Sequence, residues 1–226
     1  MSRAYFITGT DTDVGKTLVS AALIHGLVTR GLNVIGMKPV AAGCRRIGDQ
    51  LIADDVEQLV AAGNLNAPSH QINPYAFEPA IAPHIAAQQA GVDIKLDVIA
   101  QACQQLRARA DVVIVEGVGG FRVPLGNGVD TADLAKMLGM PVILVVGMRL
   151  GCMNHALLTA EAIQARGLKL AGWVANQLDP EMTAFNANLH SLQQRLAAPC
   201  LGTLPWLMAA DYTTAAKHLR LDMLAI

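Results

Sequence analysis

Short apolar runs alternate along the chain with longer stretches of helical periodicity, and this alternation restricts the fold more than any other feature. The predicted strands cover residues 4–8, 34–39, 112–116, 142–146, 170–175 and 200–204. Most of them are continuously apolar, as expected of strands that are covered on both faces. The predicted helices cover residues 16–30, 53–62, 81–90, 96–109, 131–138, 154–166 and 183–196. The pattern predicts an α/β fold with a mainly parallel sheet and helices on both faces.

The composition favours a well-buried core. Hydrophobic residues make up 53% of the 226 residues and charged residues only 15%, which argues against disorder. We expect a single domain that spans residues 1–226, because this length is ordinary for one domain. The segment 66–83 carries four prolines among polar residues and is interpreted as a surface loop.

Charge and cysteine usage exclude several functional classes. The formal net charge of −1 gives no basic surplus for nucleic acid. No apolar run reaches the roughly 18 residues that a membrane span needs, and no secretory signal is evident at the N-terminus. The four cysteines are far apart and form no CxxC pair. We expect buried or idle thiols in a reducing compartment, and therefore a cytoplasmic protein.

The strongest local motif is GTDTDVGKT at residues 9–17, which follows the first strand and opens the first helix. It is one residue longer than the usual phosphate-binding loop. Its glycines allow backbone N–H groups to turn toward phosphate oxygens, and the helix N-terminus adds partial positive charge. Lys16 can reach the β- and γ-phosphates, and the Thr17 hydroxyl can hold Mg²⁺. The strand–loop–helix context favours this interpretation over a chance glycine turn.

Two acidic positions are candidate metal ligands. Glu116 ends a buried strand and precedes a glycine run that includes Gly117 and Gly119. At that edge of the sheet it either binds Mg²⁺, directly or through water, or faces solvent. Asp54 and Asp55 begin the helix after the second strand. They are either acids favoured by the helix dipole or a further metal ligand.

A second lysine, Lys38, follows the apolar part of the second strand, on the same edge of the predicted sheet as Lys16. A solvated lysine at a strand end is one interpretation. The other is a cation that faces a transferring phosphoryl group or a substrate carboxylate.

Five stretches together resemble the dethiobiotin synthetase family: residues 9–17, 38–40, 116–120, 150–156 and 172–176. Shorter likenesses lie at residues 73–75, 83–84 and 204–207, so the resemblance spans roughly residues 3–207. It implies a homodimer with the P-loop NTPase fold. It also implies a biotin-biosynthesis ligase that makes dethiobiotin from 7,8-diaminopelargonic acid, CO2 and ATP with Mg²⁺. In this family the reaction passes through a carbamate and a carbamic–phosphoric anhydride.

The resemblance also implies the residues of the site. Its catalytic residues would be Lys16, Lys38 and Thr12. Its nucleotide contacts would be Asp13, Val14, Gly15, Lys16, Thr17, Leu18, Asp55, Glu116, Gly117, Val118 and Gly119, with an adenine pocket of Asn176, Gln177, Pro205, Trp206 and Leu207. Its Mg²⁺ ligands would be Thr17, Asp55 and Glu116, and its substrate contacts Thr12, Lys38, Ala42, Gly151, Cys152, Met153 and Asn154.

Some positions leave alternatives open. Gly151 and the next three residues precede a predicted helix, whose free N–H groups suit a carboxylate, but Asn154 can equally be only an N-cap. Ala42 stands where the family commonly has a serine, and Asp13 replaces a glutamate that some members have. These departures bear on substrate fit and not on the class of reaction.

Two other functions compete with this one. An amidating synthase of the cobyrinic-acid type also uses a phosphorylated intermediate, but it usually carries a glutaminase domain, for which 226 residues leave no room. A partitioning or positioning ATPase of the ParA/MinD type works as a nucleotide-switched binding module. That group has a lysine early in its phosphate loop, where this chain has Thr10 and Asp11.

Overall fold

Two of the predicted motifs directly follow strands of the central sheet, since the phosphate loop follows the first strand and the glycine run follows the strand that ends at Glu116. The computed structural model describes residues 2–208 and 211–224. The strands there are β1 (Arg3–Gly9), β2 (Val34–Met37), β3 (Val40–Ala42), β4 (Arg45–Ile47), β5 (Gln50–Ile52), β6 (Tyr75–Phe77), β7 (Val112–Glu116), β8 (Pro124–Gly126), β9 (Val129–Asp130), β10 (Val142–Met148), β11 (Leu170–Gln177) and β12 (Cys200–Leu204). The outer limits of the predicted domain, residues 1 and 226, lie outside the described residues.

Helices separate the strands of the central sheet. They are α1 (Lys16–Val28), α2 (Asp54–Ala62), α3 (Ser69–Ile72), α4 (Pro83–Gln89), α5 (Leu96–Arg107), α6 (Thr131–Leu138), α7 (Cys152–Ala165), α8 (Phe185–Arg195) and α9 (Tyr212–Ala216). A 3₁₀ turn, Leu221–Met223, follows α9.

The six predicted strands form one parallel sheet in the described part of the chain, in the order β12-β11-β10-β1-β7-β2. The prediction of an α/β fold with a mainly parallel sheet is confirmed. The order places β7 between β1 and β2, with Ile7 opposite Glu116 and Met37 opposite Val115. The ends of these three strands therefore lie side by side at one edge of the sheet.

Alternate residues of each strand pack into different layers. In β1, Tyr5 and Ile7 contact the cluster built on α1, α2 and α9, whereas Ala4 and Phe6 contact the cluster that includes α4, α5 and α6. Helices α7 and α8 cover the rest of that second face, over β10 and β11. Because both faces are covered, all seven residues of β10 are buried.

The segment 66–83 is more ordered than a surface loop. It contains α3 and the three-residue strand β6, which pairs in parallel with β3. Interpreting this whole segment as a loop was therefore wrong. Elsewhere, the predicted helices agree with the structure to within about two residues at each end, which is the usual uncertainty of helix boundaries.

Two further observations bear on the excluded classes. In the described part of the chain, none of the helices has the length and apolar character needed to cross a bilayer. Cys44, Cys103, Cys152 and Cys200 are free thiols and all are buried, as predicted.

Candidate active site

The loop between β1 and α1 has the backbone of a phosphate cradle. Asp13 and Gly15 both adopt positive φ angles, of 56° and 86°. A Cβ atom added at Gly15 would lie 2.2 Å from the Asn176 amide nitrogen, so only glycine fits there. Asn176 Nδ2 in turn donates to the Val14 carbonyl at 2.9 Å. These contacts join the loop to the end of β11, and Leu18 follows in the first turn of α1.

Lys16 lies at the start of α1 and is 7% exposed. Its ammonium donates to the Asp11 carbonyl, 2.9 Å away and within the same loop. Burial and, second to it, repulsion from Lys38 lower its pKa to about 8, against the opposing pull of Glu116. Among the described residues, Lys16 is therefore a cation without a carboxylate contact of its own, which suits the binding of an anionic ligand.

Lys38 lies one residue beyond β2 and is 3% exposed. Its Nζ donates to Glu116 Oε1 at 2.6 Å and to the Gly117 carbonyl at 3.3 Å, and it forms an ion pair with Asp55 Oδ2 at 2.6 Å. The Thr17 hydroxyl donates to the same Glu116 oxygen at 2.8 Å. The structure thus brings five predicted site residues together, and a solvated Lys38 is excluded.

The charges in this cluster stabilise one another. Burial opposes the charge on Lys38, but the neighbouring Glu116 and Asp55 carboxylates outweigh it and raise the pKa of the ammonium. Burial would raise the pKa of Asp55, but the charge and hydrogen bond of Lys38 outweigh it, and the pKa of this carboxyl is lowered. Both groups are therefore held in their charged forms.

The predicted metal ligands fit a hard cation. Glu116 is fully buried, and its Oε2 has no hydrogen-bond partner among the described residues. An unpaired buried carboxylate oxygen is costly unless a ligand compensates it. Within residues 2–208 and 211–224, no group of three or more His, Cys, Asp or Glu side chains could hold a metal ion. Two carboxylates and the Thr17 hydroxyl nevertheless suit Mg²⁺, which usually takes further ligands from phosphates and water.

Beside the phosphate loop lies a cleft of about 620 Å³. Five predicted contact residues line it: Thr12, Asp13, Ala42, Val118 and Gly119. The other lining residues, 80–83 and Val123, are all apolar. A cleft that is lined by two polar side chains, Thr12 and Asp13, and otherwise by apolar residues and glycine fits a small aliphatic ligand that carries polar ends.

The predicted carboxylate-binding segment begins α7. Gly151 caps the helix in a left-handed conformation with φ 93°, and the helix begins at Cys152. Asn154 is therefore the third helical residue, and the interpretation of Asn154 as an N-cap was wrong. Cys152 is buried, whereas Asn154 is exposed. Residues 151–154 are not among those that line the 620 Å³ cleft.

The residues predicted to hold adenine lie at the ends of two neighbouring strands. Asn176 and Gln177 end β11, and Pro205, Trp206 and Leu207 follow β12, which pairs with β11. Trp206 is 44% exposed. The structure places the five residues at the ends of two paired strands, and one amide hydrogen of Asn176 is already used by the phosphate loop.

Three contacts of the site carry no sequence signal of their own. Arg149 Nη2 forms an ion pair with Asp11 Oδ2 at 2.6 Å and links the phosphate loop to the segment before α7. The Asn176 contact to the loop is a second. The third is Asn73, whose amide donates to the Lys38 carbonyl at 2.6 Å. Asn73 belongs to a stretch that resembles a known family, but nothing in the sequence indicates which backbone group it binds.

Comparison with known proteins identifies close relatives over nearly the full chain. A family model described as an AAA domain matches residues 3–213. The ATP-dependent dethiobiotin synthetase BioD of Aromatoleum aromaticum is 54% identical over 219 residues, which cover 97% of each chain. That of Nitrosospira multiformis is 55% identical over 206 residues, which cover 91% of this chain and 89% of the relative.

Solved structures with a similar fold are much more distant in sequence. The MinD cell division protein of Aquifex aeolicus has a TM-score of 0.57 at 15% identity, over 95% of this chain and 87% of that chain. A ParA family ATPase from Chlorobium tepidum has a TM-score of 0.57 at 11% identity, over 91% of this chain and 84% of that chain. At these identities the likeness shows the P-loop NTPase fold alone.

Proposed function

The chain belongs to the family of ATP-dependent dethiobiotin synthetases, and from this membership we propose how its own residues carry out the reaction. The enzyme is an ATP-dependent ligase of biotin biosynthesis. Its substrates are 7,8-diaminopelargonic acid, CO2 and ATP. Its products are dethiobiotin, ADP and phosphate. We propose that it acts as a single domain that spans residues 1–226.

The assignment of the site depends on one observation, the group of contacts among Lys38, Asp55, Glu116 and Thr17 beside the phosphate loop, which we call the Lys38 cluster. Lys38, Glu116 and Thr17 come from three adjacent elements, and contacts of 2.6 to 2.8 Å join them at the carboxyl edge of the sheet. In open α/β sheets, ligands bind at this edge. The cleft that adjoins the loop offers Thr12 and Asp13 to a ligand beside the γ-phosphate.

The first bond forms between one substrate amine and CO2. The amine nitrogen attacks the carbon of CO2, loses a proton and becomes a carbamate. We assign the diamine to the cleft, with its amines toward Thr12 and Asp13 and its aliphatic chain along the apolar lining at residues 80–83. The absence of the usual serine hydroxyl at Ala42 removes one possible hydrogen bond to the substrate there.

The second step transfers the phosphoryl group. A carbamate oxygen attacks the γ-phosphorus, the bond between that phosphorus and the ADP oxygen breaks, and a carbamic–phosphoric anhydride results. Negative charge is spread over the phosphoryl oxygens in this step, and cations already in place stabilise it. We assign this role to the ammonium groups of Lys16 and Lys38, with the loop N–H groups beside them.

The last step closes the ring. The second amine attacks the anhydride carbon, the carbon–oxygen bond to phosphate breaks, and a cyclic urea and phosphate are released. Phosphorylation is needed because a carbamate oxygen is a poor leaving group. Residues Asn176 and Gln177, together with 205–207, are proposed to hold the adenine through amide and apolar contacts.

A divalent metal is proposed to complete the site. Thr17, Asp55 and Glu116 would hold Mg²⁺, since they supply a hydroxyl and two carboxylates that meet around the Lys38 ammonium. When bound, the metal supplies positive charge to the phosphate oxygens. The Lys38 ammonium pairs with both carboxylates, and its single positive charge leaves one of the two negative charges uncompensated.

The proposed oligomer is a homodimer. Leu150, just before α7, is fully exposed and Leu158, within α7, is 56% exposed, and these two apolar side chains support a contact with a second copy on this side of the molecule. The proposed carboxylate contacts at residues 151–154 directly follow Leu150. Light scattering after gel filtration tests the proposal: a mass near 23.8 kDa contradicts it, and twice that mass supports it. The cytoplasmic location stays a prediction.

The reaction is tested by mass spectrometry of the products. The protein is incubated with the diamine, bicarbonate and MgATP, and ADP release is followed in parallel. We expect dethiobiotin, with ATP consumption that depends on both the diamine and CO2. Equal ATP hydrolysis without the diamine contradicts the assignment and favours a nucleotide-switched ATPase.

A further inference from the structure

The backbone of Lys38 is held on both sides by hydrogen bonds from another part of the chain. It lies just beyond the last residue of β2 and precedes Pro39. Its backbone N–H donates to the Ile72 carbonyl at 2.9 Å, and its carbonyl accepts from Asn73 Nδ2 at 2.6 Å. Both polar groups of the Lys38 backbone are therefore satisfied by the last residue of α3 and by Asn73, which follows it.

Asn73 joins the backbone of Lys38 to that of Tyr75. Its Nδ2 also donates to the Tyr75 carbonyl at 3.1 Å, and the Tyr75 N–H donates to the Pro39 carbonyl at 3.1 Å. Both hydrogen-bond partners of the Asn73 side chain are carbonyl oxygens, which can only accept. The NH₂ group of the amide must therefore face them. The two hydrogens of one amide thus fix the chain where it leaves the sheet toward β3.

We propose that Asn73 is a positioning residue for the reaction, which sets the direction of the Lys38 side chain by holding the Lys38 carbonyl. This inference rests on the role proposed above for Lys38. The Lys38 Nζ contacts carboxylates on both α2 and β7, so a small rotation at its backbone moves the ammonium away from both. Displacement of a catalytic group by about 1 Å can cost on the order of 100-fold in rate.

The chain offers a matched control at the other end of the same strand. Asn64 Oδ1 accepts from the Val34 N–H at 2.9 Å, and Asn64 Nδ2 donates to the Leu32 carbonyl at 3.0 Å. Asn64 and Asn73 are therefore both asparagines that hold the backbone at an end of β2. Only Asn73 lies at the edge where Lys38 and Glu116 meet.

The experiment compares Asn73→Ala and Asn73→Asp with Asn64→Ala in the full-length protein. The number of nucleotide-binding sites is measured by calorimetry, and kcat is expressed per binding site. Unfolded protein then does not lower the measured kcat. We expect kcat to fall about 10- to 100-fold in both Asn73 variants, with the KM for ATP within about twofold. Asn73→Asp keeps the shape and loses both donors, so a similar loss shows that the hydrogen bonds and not the volume matter. Asn64→Ala should lose thermal stability and keep its kcat.

A double mutant separates positioning from a general structural effect. In a Lys38→Ala background, Asn73→Ala should lower the residual kcat by less than about twofold, because the group that it positions is gone. A full additional loss overturns the inference. An unchanged kcat in Asn73→Ala beside a lost kcat in Lys38→Ala also overturns it and leaves the proposed function intact.

Two further outcomes remain decisive. If Lys38→Ala keeps its turnover, both the role of Lys38 and that of Asn73 fall. If Asn73→Ala does not fold, Asn73→Asp, which keeps the shape and loses both donors, carries the test alone. A kcat of Asn73→Asp equal to that of the wild type at equal nucleotide stoichiometry then overturns the inference, and a lowered kcat supports it.

Discussion

The phosphate loop and the Lys38 cluster each supply one lysine to the same edge of the sheet, but they are built in different ways. The loop is contiguous, and the Lys16 ammonium binds the Asp11 carbonyl five residues away. The cluster is assembled from distant parts of the chain, since Lys38 and Glu116 are 78 residues apart. The first region is a local motif, and the second exists only after the sheet has formed.

The two lysines also differ in their electrostatic surroundings, which shift their pKa values in opposite directions. Burial and a neighbouring cation lower the pKa of Lys16 to about 8, whereas two carboxylates raise the pKa of Lys38. Lys16 therefore gains most from an added anion, whereas Lys38 already pairs with two carboxylates. The comparison suggests that Lys16 serves mainly binding and Lys38 mainly turnover, and the following changes test this division.

Lys38→Ala should have the largest effect. We expect kcat to fall by about 10²–10³, as for the loss of one donor to a developing charge, while ATP still binds. The variant should also be less stable by about 3–5 kcal/mol, because Glu116 is left as an unpaired buried charge. Kinetics, calorimetry and thermal unfolding measure these effects, with Lys136→Ala, an exposed lysine, as the control. Unchanged turnover would return Lys38 to a purely structural role.

Lys16→Ala should show the opposite division. We expect the affinity for ATP to fall by about 10- to 100-fold, since a charge-assisted hydrogen bond is worth about 1.5–3 kcal/mol. The thermal stability near neutral pH should rise and not fall, because the buried ammonium of Lys16 is less favourable to the folded state than to the unfolded one. Isothermal titration with ATP measures this, and an affinity equal to that of the wild type would refute the proposed phosphate contact.

The pH dependence of stability should distinguish the two lysines. Between about pH 8 and the ordinary pKa of 10.5, the unfolded chain keeps a proton on Lys16 that the folded chain has released. The contribution of Lys16 to stability therefore rises with pH in this window, by about 1–2 kcal/mol from pH 8 to 9.5. The raised pKa of Lys38 acts in the opposite sense, but only as the pH rises above 10.5. Urea unfolding at pH 7, 8 and 9.5 measures the free energies of unfolding of the wild type and of Lys16→Met. The variant should be the more stable protein at pH 7, and the difference between the two free energies should narrow as the pH rises.

Ala42→Ser should have the smallest effect. Ala42 lines the cleft, and a serine hydroxyl there would add one hydrogen bond worth about 0.5–1.5 kcal/mol. We expect the KM for the diamine to fall by up to about tenfold, with the KM for ATP unchanged. A rise in the KM for the diamine would mean that the site is closed to the additional oxygen.

Contiguous patterns predicted most of the fold and part of the site. The six strands of the central sheet and the phosphate loop follow from runs of neighbouring residues, whose conformation depends on local sterics and burial. Strands β3 and β6 were missed because three-residue strands are too short to show a period. The start of α7 was placed two residues late, since a left-handed Gly151 caps the helix and not the side chain of Asn154.

The sequence by itself determined the kind of sheet, the loop that follows its first strand and the family to which the chain belongs. Each of these depends on patterns within contiguous stretches of residues. Only the tertiary structure decided that Lys38 pairs with both Asp55 and Glu116, that Asn176 supports the loop and that Asn73 holds Lys38. The physical reason is that hydrogen bonds and ion pairs depend on distances of a few ångströms between atoms that lie far apart in the chain. Such distances exist only once the strands have packed side by side.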